Sequence, residues 1–265
     1  MSDELGPAEL PIGTGFRGGL HSALGTRHFD AIRWKVAFPN SYRLNDLMIW
    51  TDTLRRAAIK LTFDLGVPDL FGRSQTGEII NGHLHAHFLG VPDEGRRIKE
   101  LVMFSPLGIP PIVVPRLVTL TQLSTFRGRV QPSVMKFEAI SLSRITDIPG
   151  LVPSPKSSGA LISLTPYVPI RHRHKNQKVL DFLKQDIASE FKERGVEVGD
   201  GLRVHLQSRI RDEVFGVRLK ERQNQGVVGW DIRLEFSSSV QNVVSLGKYS
   251  HFGMGLFYFE EAGVD

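Results

Sequence analysis

The pattern of apolar and polar positions divides the chain into two successive sets of strands and helices. In the first set, apolar residues at helical spacing predict a helix from Asn45 or Asp46 to about Phe63 and a shorter helix at 117–126. Alternation of apolar and polar positions predicts strands at 28–38, 82–89, 98–104 and 134–145. The resulting order of strand, helix, strand, strand, helix, strand is that of one ferredoxin-like unit.

The second set of elements follows a segment rich in Pro, Gly and Ser at 147–159, which is the predicted linker. The sequence then predicts a helix at 179–194 and strands at 160–165, 202–210, 229–236 and 256–259. The segment 237–244 is too short for a full second helix. We therefore expect an α+β fold of two tandem ferredoxin-like (RRM-like) modules with antiparallel sheets, at 1–150 and 151–265. The second module has a reduced second helix and a C-terminal glycine-rich loop.

Composition and charge narrow the class of protein. A chain of 265 residues with 41% hydrophobic content is long enough to bury a core in each of two modules. Its formal net charge of +5 is modestly basic and favours an anionic partner. The lack of cysteine excludes disulfides and thiolate metal sites. With no apolar run near the ~18 residues of a membrane span and no signal pattern at the N-terminus, we expect a cytoplasmic protein without a membrane partner.

Three histidines alternate in the segment 82–89. If this segment is a strand, His83, His85 and His87 share one face of it. Neutral imidazole is a common metal ligand, so a metallohydrolase is one interpretation, although the motif contains no carboxylate. Imidazole also suits proton transfer, because its unperturbed pKa is about 6.5. A set of hydrogen-bonded histidines that only orient a loop is a third interpretation, and the sequence leaves all three open.

A glycine-rich loop precedes the last predicted strand. Its glycines, Gly247, Gly253 and Gly255, permit positive φ and close approach of another backbone. Lys248 and His251 lie between them, so the loop can offer N–H donors and a cation to a phosphodiester. A simple hairpin turn before an edge strand is the alternative.

Basic residues cluster in three other places, where RNA binding and a solvated surface are both open interpretations. These are an N-terminal arm with Arg17 and Arg27, the segment 171–178, which begins with Arg171, and the segment 209–222, which begins with Arg209 and Arg211. On the first predicted helix, Arg55, Arg56 and Lys60 lie off the apolar stripe, and we expect them to form a solvated face.

Three stretches of the chain resemble the RAMP superfamily of CRISPR-associated RNA-binding proteins, and most nearly its repeat-processing endoribonucleases. The glycine-rich loop matches their G-x5-G-x-G motif. Two further stretches resemble the proteins of subtype I-U (also called I-G): Gly-His-x-His at 82–85, followed by a hairpin up to Gly108, and Thr-Pro-x-Val-Pro-x-Arg-His at 165–172. Those proteins carry an additional N-terminal half for which this chain lacks room. It therefore resembles a stand-alone processing enzyme, as in many class 1 systems, including type IV.

The resemblance implies an endoribonuclease that cuts CRISPR repeat RNA beside a hairpin. Cleavage uses attack by a ribose 2′-hydroxyl on the adjacent phosphodiester and requires no metal or other cofactor. His83 and His85 are the first candidates for acid–base catalysis and His172 is the next, with Arg171 or Arg173 as a phosphate clamp. The other expected RNA-binding residues are Arg17, Arg27, Arg209, Arg211, Gly247, Lys248, His251, Gly253 and Gly255.

The expected partners follow from the same resemblance. They are the CRISPR repeat hairpin RNA, which is kept bound after cleavage, and other subunits of a CRISPR effector complex. The RNA-bound enzyme is expected to be monomeric. The alternative function is a non-catalytic RNA-binding subunit of such a complex, in which the histidines only stack on or hydrogen-bond to RNA.

Overall fold

The structure is a computed structural model. It describes residues 29–74, 76–80, 82, 84–94, 96–125, 133–149, 151, 159–196, 198, 201–211, 228–236 and 245–261, and for residues 209–211 and 261 it describes the backbone alone.

Five antiparallel strands form the first sheet. Its central strand β1 (Ala31–Val36) pairs with β3 (Ile98–Phe104) on one side and β5 (Ser133–Ser143) on the other. Beyond β3 lies β2 (His87–Pro92), and beyond β5 lies β4 (Gln122–Thr125). The order β2-β3-β1-β5 is that of a ferredoxin-like unit, to which β4 adds an edge strand.

One face of this sheet is covered by α1 (Leu47–Thr62). Leu47, Trp50, Leu54 and Ala58 recur every three or four residues and are fully or almost fully buried against the sheet, in a core that also contains Trp34. Burial of this apolar stripe is what holds the helix on the sheet.

The second predicted helix of this module is largely wrong. Only α2 (Val114–Leu117) is helical after a short 3-10 turn, and the predicted helical residues from Gln122 to Thr125 form β4. Three threonines between 119 and 125 oppose a helix, because branching at Cβ restricts the side chain there and favours extended backbone. Leu123 is buried opposite Met135 of β5, which fixes the strand.

The predicted strand of alternating histidines is also wrong over most of its length. Strand β2 begins at His87, and His85 lies in a bend before it. The bend folds back on the preceding turn instead of joining the sheet, since Ile80 N–H donates to the Gly72 carbonyl (2.9 Å) and Ala86 N–H to the Leu70 carbonyl (2.8 Å).

The hairpin that follows is confirmed. Asp93 N–H donates to the Arg97 carbonyl (2.8 Å), and Arg97 N–H donates to the Asp93 carboxylate (2.8 Å). These bonds close the turn between β2 and β3.

The second sheet repeats the order of the first. It consists of β6 (Gly159–Ser163), β7 (Arg203–Arg211), β8 (Val228–Glu235) and β9 (Phe257–Glu261), arranged antiparallel as β7-β8-β6-β9, with α3 (Val179–Glu193) after β6. The predicted α+β fold of tandem ferredoxin-like modules is therefore confirmed. The reduced second helix at 237–244 lies outside the described residues, and the domain boundary at 150 remains a prediction.

Helix α3 packs on its sheet through residues that were mostly predicted. Leu183, Ile187 and Phe191 are fully buried as expected, whereas Leu180 is 47% exposed and Phe182 is buried instead. The prediction was therefore wrong only in the first turn of the helix, where Phe182 and not Leu180 faces the core.

The two modules meet at the face of the first sheet opposite α1. Ala31, Leu89 and Val102 of that face pack with Leu256, which lies just before β9, and with Ile148 after β5. This contact fixes where the end of the glycine-rich loop meets the first module. In the parts of the chain that the structure describes, no helix has both the length and the apolar character to cross a membrane.

Candidate active site

Three imidazole rings are in contact where the glycine-rich loop meets the first module. His251 of the loop stacks on His85 at a centroid distance of 3.8 Å and an interplanar angle of 18°, and it lies tilted against His87 at 4.1 Å and 40°. The outer rings of His85 and His87 are 6.3 Å apart. We call these three residues the histidine stack.

The two histidines of the first module differ in exposure. His87 points from β2 into the interior, is 3% exposed, and has its Nδ1 3.4 Å from the Ser245 hydroxyl. His85 is partly exposed and lies over Gly72, where φ is +73° and an added Cβ would sit 3.1 Å from the ring. Burial lowers the pKa of His85, and the positive charge of Arg55 lowers it further. His85 therefore favours the neutral form, which can accept a proton.

Arg55 of α1 is a cation beside this stack that the sequence analysis assigned to a solvated face. Its side chain is partly buried, and its guanidinium carbon lies 5.7 Å from the ring centroid of Phe252, the residue after His251. Burial lowers the pKa of Arg55, the charge of Asp52 raises it, and the charge of Arg73 lowers it. A guanidinium remains protonated despite such shifts, so Arg55 supplies fixed positive charge next to His85.

Both modules hold the loop that carries His251. From the first module, the Thr51 hydroxyl of α1 donates to the Phe252 carbonyl (2.8 Å). From the second, the Thr165 hydroxyl donates to the Gly253 carbonyl (2.7 Å) and accepts from Leu256 N–H (2.8 Å). Met254 is buried in the core under α1. His251 is thus held between the two modules.

Positive φ at the three loop glycines makes this path possible. Gly247, Gly253 and Gly255 have φ of +90°, +81° and +56°. A Cβ on Gly255 would clash with the Leu246 carbonyl, and one on Gly247 would lie 2.5 Å from the Val168 carbonyl. The conformational role expected of these glycines is therefore present, and their RNA-binding role remains a prediction.

The segment that resembles Thr-Pro-x-Val-Pro-x-Arg-His lies directly under this loop. Gly255 N–H donates to the Pro166 carbonyl (2.9 Å), and Lys248 N–H donates to the Val168 carbonyl (2.7 Å). The stretches behind the resemblance, distant in sequence, are therefore in contact: this segment supports the loop, and the loop places His251 on His85.

A buried carboxylate of α3 anchors the far end of the same segment. Asp186 accepts hydrogen bonds from the Tyr167 hydroxyl (2.6 Å) and the Ile170 N–H (3.1 Å), and it pairs with the Arg171 guanidinium at 3.0 Å. Arg171 also pairs with Glu193. Burial, followed by the charge of Asp186, raises the pKa of Tyr167 well above its ordinary value, so this hydroxyl stays protonated and donates.

The other predicted site residues lie apart from the stack or outside the described residues. His172, Arg173 and Lys248 are exposed, and no hydrogen bond, ion pair or ring contact described by the structure joins them to His85 or His251. The roles of the following residues remain predictions because the residues, or for the last two their side chains, are not described: Arg17, Arg27, His83, Arg209 and Arg211.

The described part of the chain contains no set of side chains arranged to bind a metal ion. No group of three or more histidine and carboxylate side chains is placed there to hold a metal ion. Because His83 lies outside that part, the metallohydrolase alternative is left to experiment.

Comparison with known proteins identifies the fold. A scan against protein-family models finds no match, and a search of curated proteins finds none. Among solved structures, one described as Cas6b aligns over 87% of this chain and 100% of its own, with 15% identity and a TM-score of 0.52. One described as a RAMP protein binding different RNA substrates aligns over 88% of this chain and 100% of its own, with 11% identity and a TM-score of 0.51.

These two matches establish the fold at a low level of sequence identity. The chain has the paired ferredoxin-like fold of the RAMP proteins. This fold is similar to that of the structures described as Cas6b and as a RAMP protein, and the fold that the sequence resemblance implied is confirmed.

Proposed function

We propose that this chain is an endoribonuclease that cleaves CRISPR repeat RNA beside a hairpin, without a metal or cofactor, and keeps the product hairpin bound as a monomer in an effector ribonucleoprotein. The observation that carries the proposal is the histidine stack beside Arg55, at the junction of the two modules. The likeness to structures described as Cas6b and as an RNA-binding RAMP protein supports it.

The chemistry is a transesterification within the RNA. A base takes the proton of a ribose 2′-hydroxyl, and the 2′-oxygen forms a bond to the adjacent phosphorus. The bond from phosphorus to the 5′-oxygen breaks, and an acid gives that oxygen a proton. The products are a 2′,3′-cyclic phosphate and a 5′-hydroxyl. Positioned acid and base groups contribute about 10²–10⁴-fold each to such a rate.

The side chains of the site fit these roles. His85, whose lowered pKa favours the neutral ring, is assigned as the base, and His251 as the acid for the 5′-oxygen. Arg55 stabilises the negative charge that develops on the phosphorane. His87 is too buried to meet the substrate and orients His251 through the stack.

The RNA hairpin is recognised mainly by charge and shape, because the major groove of A-form RNA is too narrow for side chains to read. Lys248 and Arg173 are exposed cations suited to backbone contacts. Arg171 is already paired with two carboxylates, so its clamp role requires an exchange of partners.

Cleavage assays in chelator test the proposal. A panel of CRISPR repeat hairpins is incubated with the protein in EDTA, in parallel with hairpins that carry 2′-deoxyribose at the cut. We expect cleavage with a 2′,3′-cyclic phosphate end, and binding without cleavage for the deoxy RNA. His85→Ala is expected to slow single-turnover cleavage by about 10²-fold or more while the affinity for deoxy RNA persists. The same loss is expected of His83→Ala, because the sequence resemblance makes His83 a further candidate for acid–base catalysis.

The other outcomes support the alternatives. Tight binding without cleavage of any repeat identifies a non-catalytic RNA-binding subunit. Activity that disappears in EDTA and returns with metal identifies a metallohydrolase that uses His83, His85 and His87. Unchanged single-turnover rates in both histidine variants contradict the assignment of these residues.

A further inference from the structure

Helix α3 buries two carboxylates on one face. Asp186 and Glu190 are 1% and 0% exposed and lie one helical turn apart. A carboxylate removed from water is costly unless it is hydrogen-bonded and paired, and an apolar side chain would serve a packing role better. The groups that these carboxylates bind therefore indicate what they do.

Glu190 binds the backbone at the start of the glycine-rich loop. Its carboxylate accepts a hydrogen bond from the Gly247 N–H and another from the Arg194 guanidinium at 3.1 Å. An apolar residue at 190 would leave the Gly247 N–H buried without this acceptor.

Gly247 connects Glu190 to the histidine stack. Its carbonyl accepts from Ser250 N–H (3.2 Å), which begins the 3-10 turn Ser250–Phe252 that carries His251. The backbone of Gly247 also lies so close to the Val168 carbonyl that a Cβ at this position would not fit. The start of the loop is therefore fixed between the Glu190 carboxylate and the segment anchored by Asp186, with His251 four residues further on.

We infer that Glu190 is a positioning residue for cleavage, which holds the glycine-rich loop so that His251 lies between His85 and His87. The inference rests on the proposed function, because it takes the catalytic role of His251 from it. Glu190 acts through the loop and does not touch the RNA.

Two substitutions break the same ion pair with different consequences for the loop. Glu190→Gln keeps the size of the side chain, but a neutral amide can no longer accept from both Gly247 and Arg194. Arg194→Gln removes the cation, but its amide N–H can still donate to the carboxylate, which stays on Gly247. We expect Glu190→Gln to slow single-turnover cleavage by about 10²-fold, the scale of a small misplacement of a catalytic group, and Arg194→Gln by less than about 3-fold.

A double-mutant cycle tests whether Glu190 acts through His251. In a His251→Ala background, Glu190→Gln should cause almost no further loss of rate, because residues that act as one unit are not additive. Affinity for the 2′-deoxy hairpin should stay within about 3-fold in Glu190→Gln and Arg194→Gln, since neither residue touches the RNA in this inference.

Histidine ring resonances provide a readout that does not depend on activity. His251 experiences ring-current shifts from two neighbouring imidazoles, so its ¹H–¹³C resonance should move in Glu190→Gln and stay in place in Arg194→Gln. If Glu190→Gln does not fold, Glu190→Asp retains the charge, withdraws it from Gly247, and should show the same effects.

The outcomes separate this inference from the proposed function. Equal rate losses in Glu190→Gln and Arg194→Gln, additivity with His251→Ala, or an unmoved His251 resonance in Glu190→Gln each overturn the positioning role while wild-type cleavage stands. If the wild type does not cut, the proposed function fails, and the resonance alone decides whether Glu190 places His251.

Discussion

Helices α1 and α3 hold equivalent places in the two modules, yet they use charge in opposite ways. Each follows the first strand of its module and packs on its sheet through apolar residues at helical spacing. The buried carboxylates of α3 are satisfied by their own chain. Arg55 of α1 lies partly buried beside the histidine stack, while its neighbour Asp52 pairs with Arg56.

Three other partly buried arginines have a partner that Arg55 lacks. Arg33, Arg171 and Arg194 are each paired with a carboxylate. In the described residues, no carboxylate forms an ion pair or hydrogen bond with Arg55. Asp52 offsets part of the charge of Arg55 but pairs with Arg56, so the site still favours an anion from outside the chain. Both modules hold the loop, but under the proposed function the charge presented to the RNA comes from the first module.

The largest effect expected from this difference is on cleavage. Arg55→Gln should lower the single-turnover rate by about 10²–10³-fold, the usual loss when one fixed donor to a developing oxyanion is removed. Arg56→Gln is the matched control on the same helix, where an exposed ion pair contributes little, and should change the rate by less than about 3-fold. Similar rates in the two variants contradict the role of Arg55.

The next effect is on stability, and here the buried charge of α3 matters more than the partly buried charge of α1. Asp186→Ala should lower the free energy of unfolding by about 3–5 kcal/mol, because it leaves the buried Tyr167 hydroxyl without its acceptor and removes one of the two carboxylates that pair with Arg171. Arg55→Ala should change it by less than about 1 kcal/mol, since no paired group is left behind. Urea denaturation of both variants measures the difference, and equal losses argue against it.

The smallest effect is on the pH dependence of stability. The pKa of His85 is lower in the folded protein than its ordinary value. The stability that the neutral His85 ring gives to the folded state is therefore fully present above about pH 6.5 and is lost as pH falls through the lowered pKa. His87 and His251 face the same ring, so the comparison must be made between variants. The acid loss of stability should be smaller in Arg55→Gln and smallest in His85→Gln; identical pH profiles exclude His85 as its source.

The fold was accessible from the sequence because its signals are local. Alternation located β3 and the spacing of apolar residues located α1 and α3. The errors arose where a local signal was weak or overridden. The threonines between 119 and 125 warned against a helix, whereas the fold-back of the segment before His87 depends on contacts with Gly72 that no periodicity reveals.

The candidate site was only partly accessible, because it forms when the modules meet. His85 and His251 were both named from their motifs, but nothing in the sequence indicates that their rings stack. Arg55 follows Thr51 by one helical turn, which is a signal that both face the same side. Its meaning becomes clear only once Thr51 is seen to bind the Phe252 carbonyl.

The hydrogen bond from Thr51 to Phe252 joins positions separated by 201 residues along the chain. A contact of such long range forms only when the long stretch of chain between the two residues is closed into a loop. Such contacts slow folding more than local pairs do. During refolding, the far-ultraviolet signal of helices and strands should therefore recover before the ability to cut RNA. Regained cleavage would report the completed topology of the whole molecule.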